Sequence, residues 1–234
     1  MQINPLSSSP DFKFDAVLWD MDGSLVDSEP LWIEQETLLM QDYGVQWSAS
    51  DAIECVGGPM TRVEGLMRDK LTAEQRAQLS EMQLTKELLQ RMESRFSQGV
   101  EFAPGAQVLL EEMVSLQLPL ALVSASSRNL VNSVLRGIGE DVFHITVSND
   151  DVIESKPHPE GYLKAAQHLQ VDIERCLIIE DSITGMKAAI AAQAHVLGVP
   201  HVTELPVGEK VLHLPTLHDI SFSEITSLFA SVRV

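Results

Sequence analysis

Five short apolar runs punctuate the chain, at Phe14–Asp20, Pro119–Ser124, Val142–Val147, Cys176–Asp181 and His195–Val199. Each is nearly continuous in apolar residues rather than alternating. That pattern predicts strands of a parallel sheet covered on both faces. Between them lie helical patterns, roughly over Ala106–Leu116, Ser127–Ile138, Glu160–Leu169 and Thr184–Ala192. Strands alternating with helices imply an α/β fold, a doubly wound parallel sheet. The stretch after Val199 reads as late strands and loops ending in a helix near Phe222–Ala230.

The segment from Leu31 to Gly99 breaks this rhythm. It offers no good strand candidate and carries charged, helix-forming stretches such as LTAEQRAQLSEMQLTKELLQRMESRF. It predicts an inserted all-helical cap domain, residues 31–99, bounded by Pro30 and by the Gly99–Gly105 region. An α/β core domain then comprises residues 12–30 and 100–234, with residues 1–11 as a disordered N-terminal extension. The opening MQINPLSSSPDFK lacks the basic and apolar regions of a secretory signal.

Composition narrows the range of partners. The 234 residues carry 16 Lys and Arg against 34 Asp and Glu, a formal charge of −18. Such a surface argues against general affinity for nucleic acid or an anionic membrane. An anionic substrate would need a local positive patch. No apolar run approaches the ~20 residues of a membrane span. Cys55 and Cys176 have no metal-type spacing and suit a reducing, cytoplasmic setting better than a disulfide scaffold.

In open α/β sheets ligands bind beyond the carboxyl ends of the strands. Asp20 and Asp22 follow the first predicted strand, Ser124-Ala-Ser-Ser-Arg128 the second, and Glu180-Asp181-Ser182 the fourth; Ser155-Lys-Pro-His-Pro159 precedes the helix at Glu160. Asp20 and Asp22 stand two apart, so in extended chain they point the same way. Gly23 permits a tight turn that leaves amides open to a ligand. Carboxylates converging in one crevice repel, and a hard divalent cation relieves the repulsion; oxygen ligands favour Mg²⁺. Lys156 adds a positive charge, and Ser124 adds a hydroxyl beside free amides. Together these describe a phosphoryl site. Asp20 is placed to attack phosphorus and Asp22 to handle the proton. Each cluster alone is more often a turn or helix cap than a site; their joint occurrence after strands carries the argument.

The residues resemble the haloacid dehalogenase superfamily. Asp20-Met-Asp-Gly-Ser-Leu-Val-Asp27 is similar to its first motif, Ser124 to its second, Lys156 to its third and Glu180-Asp181 to its fourth, in the family's order. Asp27-Ser-Glu-Pro, Ser-Lys-Pro-His-Pro and Glu-Asp-Ser look like the β-phosphoglucomutase-like phosphatase branch, whose helical cap follows the first motif. The resemblance implies a Rossmann-like core with Asp20 as nucleophile and metal ligand. Asp22 would be acid/base, with its carbonyl on Mg²⁺. Ser124, Ala125 and Lys156 would hold the substrate's phosphoryl group. Asp181 would bind Mg²⁺, and Glu180 is a ligand in some members and stands behind the ligands in others.

The reaction implied is Mg²⁺-dependent hydrolysis of a small phosphate ester, a sugar phosphate above others, by a cytoplasmic monomer. Trp32 stands where β-phosphoglucomutases place a histidine, which favours hydrolysis over the phosphomutase alternative. A phosphorylated signalling receiver is a third reading, from another class, but needs neither a cap nor Asp22. Arg62, after the turn Val56-Gly-Gly-Pro-Met-Thr, is a candidate for a second anionic group on the substrate. Trp32 and Trp47 read as packing residues, and His158 as a turn residue.

Overall fold

A computed structural model describes residues 12–55, 60–200 and 204–231. The expected extension at 1–11 and the turn at 56–59 lie outside the described residues. Six strands form one sheet: β1 Ala16–Trp19, β2 Leu120–Val123, β3 Ile145–Val147, β4 Cys176–Glu180, β5 His195–Gly198 and β6 Val211–His213. They run in the order β3-β2-β1-β4-β5-β6, and each pairing is parallel. Every residue of β1, β2, β4 and β5 is buried, as their unbroken apolar runs require.

Strand periodicity divides these residues between two hydrophobic layers. Val17, Trp19, Leu122 and Ile179 face one cluster, which contains Leu109 and Met113 of α6 (Ala106–Ser115) and Val131 and Val134 of α7 (Arg128–Ile138). Ala16, Leu18, Val123 and Ile178 face the other, against Tyr162 and Ala165 of α8 (Glu160–Leu169) and Met186 and Ala189 of α9 (Ile183–Ala191). The sheet is doubly wound. α10 (Phe222–Ser231) closes the first layer through Ile225 and Phe229. β3 is shorter than the run Val142–Val147. Phe143 of that run is buried in the first layer, and strand pairing to β2 begins only at Ile145.

Between β1 and α6 the described residues hold five helices: α1 Glu29–Asp42, α2 Ala49–Cys55, α3 Met60–Asp69, α4 Ala73–Gln78 and α5 Gln83–Ser97. α1 starts before Pro30, which occupies the first turn, where a missing N–H costs nothing. The long charged stretch is two helices. Thr72 and Gln75 form a reciprocal capping box at the start of α4, and the chain breaks after Gln78 before α5 begins. Leu39, Met67, Leu84 and Leu88 belong to the helical layer's own core. α5 also joins that layer to the sheet domain, because its Met92 and Phe96 enter the first sheet layer. The fold is therefore an α/β core carrying an inserted helical cap. The two connections to the cap run side by side: Asp27 N donates to Glu101 O and Ala103 N to Leu25 O, each at 2.9 Å. Among the described residues no helix is long and apolar enough to cross a membrane.

Candidate active site

The parallel register sets Trp19 opposite both Leu122 and Ile179, so β1, β2 and β4 end level with one another. The polar residues that follow therefore meet. Asp20 N donates to Ile179 O at 3.0 Å, and the Asp20 side chain is buried beside Lys156. Lys156 Nζ donates to Asp20 Oδ1, to Val123 O at 3.0 Å and to Glu180 Oε1 at 2.7 Å. One ammonium thus ties the ends of β1, β2 and β4 together.

Glu180 is fully buried, and both of its oxygens are occupied. Oε1 accepts from Lys156 Nζ and from the Tyr162 hydroxyl at 2.6 Å. Oε2 accepts from Asp181 N, Ser182 N and Ser182 Oγ at 3.1–3.2 Å. Ser182 in turn caps α9 by accepting from Gly185 N at 3.0 Å. A Cβ on Gly185 would overlap the Glu180 carboxylate, so glycine permits this approach. Gly23 (φ +86°) makes the turn after Asp22, and a Cβ there would meet the Asp181 carboxylate. Asp181 Oδ1 accepts from Ser24 Oγ at 3.2 Å.

Asp22 belongs to a second hydrogen-bonded group, with the serines that follow β2. Its Oδ2 accepts from Ser126 Oγ at 2.8 Å and from Ser124 Oγ at 3.4 Å. Ser126 N donates to Ser124 Oγ at 2.9 Å, which completes a small hydroxyl network. Asp22 Oδ1 is buried with no hydrogen-bond partner among the described residues. A buried orphan oxygen is costly in a finished core and useful at a site that receives a proton donor.

The electrostatics follow from the crowding. Burial, and the nearby Glu180 and Asp181 carboxylates, push the Asp20 carboxyl well above its ordinary range, although Lys156 opposes them. Burial alone would lower the Lys156 ammonium, but the Asp20 and Glu180 carboxylates outweigh it and hold it above its usual value. Burial and the Glu180 carboxylate likewise raise the Tyr162 phenol. Carboxylate oxygens of Asp20, Glu180 and Asp181 lie within 4.8 Å of one another. An all-oxygen set with excess negative charge fits a hard divalent cation.

The structure thus brings together Asp20, Asp22, Ser124, Lys156, Glu180 and Asp181. Ala125 follows Ser124 and is exposed. Arg62 is an exposed residue of α3. Trp47 is buried in the cap, where Nε1 donates to Glu36, and Trp32 packs against both the cap and sheet clusters. His158 is exposed in its turn. Ser126, within the polar stretch after the second strand, and Tyr162 of α8 also touch the site; the chain by itself assigns neither a role.

A family model described as haloacid dehalogenase-like hydrolase matches residues 17–199. The chain belongs to the haloacid dehalogenase-like hydrolases. Within that family, hexitol phosphatase B of Escherichia coli is 29% identical over 216 residues, covering 92% of this chain and 94% of that protein. A bifunctional riboflavin kinase/FMN phosphatase of Arabidopsis thaliana is 31% identical over 205 residues; these cover 87% of this chain and 51% of that protein. The chain therefore spans about half the length of that relative. The crystal structure of β-phosphoglucomutase from Clostridium difficile superposes with a TM-score of 0.73 at 23% identity, covering 93% of this chain and 97% of that one. At that identity the likeness concerns the fold. The family membership agrees with the four motifs and with a hydrolase built on an α/β core under a helical cap.

Proposed function

We infer that the chain is a Mg²⁺-dependent phosphatase acting on a small phosphorylated metabolite, a sugar phosphate above others, through an aspartyl phosphate on Asp20. The observation that carries this reading is the Asp20–Lys156 contact at the end of β1, with Asp22 held beside it by two serine hydroxyls. A buried carboxylate next to an ammonium is placed to meet an incoming phosphoryl group, whose charge Lys156 offsets. The similarity to a hexitol phosphatase and an FMN phosphatase supports a phosphate monoester as substrate.

An Asp20 oxygen forms a bond to phosphorus as the ester P–O bond breaks. Asp22, protonated, gives its proton to the departing alkoxide. Asp22, now ionised, takes a proton from water, whose oxygen attacks phosphorus. The Asp20–phosphorus bond breaks, releasing inorganic phosphate and restoring both carboxyl groups. Ser124 and the amides around Ala125 would orient the phosphoryl oxygens. Asp20, Asp181 and the Asp22 carbonyl would hold the cation, with Glu180 behind them because protein donors already occupy both its oxygens. When bound, Mg²⁺ would neutralise phosphoryl charge and favour the ionised, nucleophilic form of Asp20. Arg62 is assigned to contact a second anionic group on a larger substrate. The cap, residues 31–99, would select among substrates over a core of 12–30 and 100–234.

The test is phosphate release from a panel of sugar phosphates and nucleotides, with Mg²⁺ and with EDTA, for the native chain and Asp20→Asn. Metal-dependent release that disappears in Asp20→Asn is expected. Isomerised sugar phosphate without stoichiometric phosphate release would instead make the chain a phosphomutase. Undiminished release by Asp20→Asn would remove Asp20 from the nucleophile's role.

A further inference from the structure

Tyr162 sits fully buried on α8, among alanines and β-strand side chains that a phenylalanine would satisfy equally well. Its hydroxyl instead reaches Glu180 Oε1 at 2.6 Å, the oxygen that also accepts from Lys156 Nζ at 2.7 Å. The same ammonium stands 4.9 Å from the centre of the Tyr162 ring. One side chain therefore touches both halves of the ion pair behind Asp20, through a hydrogen bond on one side and a cation–π contact on the other.

We propose that Tyr162 is a positioning residue, which divides the Glu180 charge and so sets where Lys156 stands between Glu180 and Asp20. This rests on the phosphatase reading. While the phenol donates to Oε1, part of that oxygen's charge is satisfied without Lys156. The ammonium is then free to serve Asp20 and an incoming phosphoryl group. Without the hydroxyl, Oε1 has Lys156 as its one donor and draws it away from Asp20. The negative charge beside Asp20 and Asp181 is also less dispersed. The two effects have opposite signs. Turnover slows because Lys156 is displaced, whereas a divalent cation binds more tightly because Lys156 then offsets less of the charge on Asp20. A residue that merely fills the core would weaken both together when altered.

The experiment compares the full native chain with Tyr162→Phe, which keeps the ring and removes the hydroxyl. Steady-state phosphate release is measured, and Mg²⁺ binding is read separately from the rise in Tm during a Mg²⁺ titration. The expected result is kcat lowered about tenfold with KM within about twofold, and half-saturating Mg²⁺ lowered about two- to fivefold, the scale of one hydrogen bond to a charged group. Unchanged kcat and unchanged Mg²⁺ binding would overturn the proposal, as would parallel losses of both. A native chain that releases phosphate from no ester would defeat the phosphatase reading, and the Mg²⁺ titration would still decide the role of Tyr162. If Tyr162→Phe is too unstable to assay, 3-fluorotyrosine in a Tyr43→Phe chain labels this position alone, because the sequence has two tyrosines. Its ¹⁹F resonance is then expected to move on adding Mg²⁺, and a resonance that stays put would overturn the proposal.

Discussion

Lys156 and Glu180 form an ion pair of 2.7 Å in which the lysine side chain is 8% exposed and the glutamate side chain 0%. At that depth each charge depends on the other, and Asp20 depends on the same ammonium. Removing one partner of a buried pair leaves an uncompensated charge. Lys156→Met is therefore expected to abolish turnover and to lower stability by about 3–5 kcal/mol, measured by denaturant unfolding without metal. Added Mg²⁺ is expected to raise Tm more in Lys156→Met than in the native chain, since the cation then carries more of the compensation. An equal rise in both would contradict this account of the site's charge balance.

Asp22 carries the proton in both half-reactions of the proposed scheme. Asp22→Asn keeps the shape and an acceptor for Ser126 but has no carboxyl proton to exchange. Loss of general acid–base assistance is worth about 10²- to 10⁴-fold in rate. Rapid-quench kinetics are expected to show both formation and breakdown of the aspartyl phosphate slowed. A change in substrate affinity alone would remove Asp22 from that role.

Gly185 lies against the Glu180 carboxylate with no room for a Cβ. Gly185→Ala adds one methyl group where the neighbours are a strand end and a saturated carboxylate. The expected cost is about 1–3 kcal/mol of stability from overpacking. Turnover is expected to fall as well, because Glu180 must shift and takes Lys156 with it. Normal activity in a destabilised Gly185→Ala chain would show that the Glu180 position tolerates movement.

The cap contains its own titrating group. Glu36 on α1 is 4% exposed, and burial pushes its carboxyl from an ordinary 4.5 to about 7, against the hydrogen bond that Trp47 Nε1 donates at 3.2 Å. Between those values the folded chain holds a proton that the unfolded chain has lost. Stability therefore falls as pH rises through that window, at up to about 1.4 kcal/mol per pH unit. Glu36→Gln is expected to raise Tm at pH 8 relative to the native chain and to flatten this part of the pH dependence between pH 5 and 8. An unchanged pH profile of Tm would place the Glu36 carboxyl in a wetter setting.

Much of the architecture is legible along the chain because burial on both faces demands unbroken apolar runs. Ala16–Trp19, Leu120–Val123 and Cys176–Glu180 could hardly be read otherwise. The helical insertion is legible for the complementary reason: it carries charged, helix-forming stretches without any strand-like run. The break between α4 and α5 was not, since it falls between Gln78 and Gln83, within a stretch of good helix formers, where Met82 takes a left-handed backbone (φ +54°). Nor was the double membership of α5, because the surfaces facing its two halves are contributed by distant segments.

The acidic and basic residues at strand ends were recognisable because a carboxylate directly after a buried strand is conspicuous. What each does to its neighbours depended on folding. Ser126 and Asp22 are 104 residues apart, and Lys156 and Asp20 are 136 apart. Only the level ends of parallel strands bring such pairs within hydrogen-bond reach. Tyr162 reads as a core residue of an amphipathic helix, and its apolar ring is one; its hydroxyl acquires a role from where β4 ends. The resemblance leaves Glu180 either a ligand or a residue behind the ligands. The five donor groups that surround Glu180 come together only in the folded chain. Local pattern is enough to specify strands, helices and the chemical types gathered at their ends, because burial and spacing act on neighbouring residues. Distances between charges, and so the sharing of one lysine between two carboxylates, are properties of packing alone.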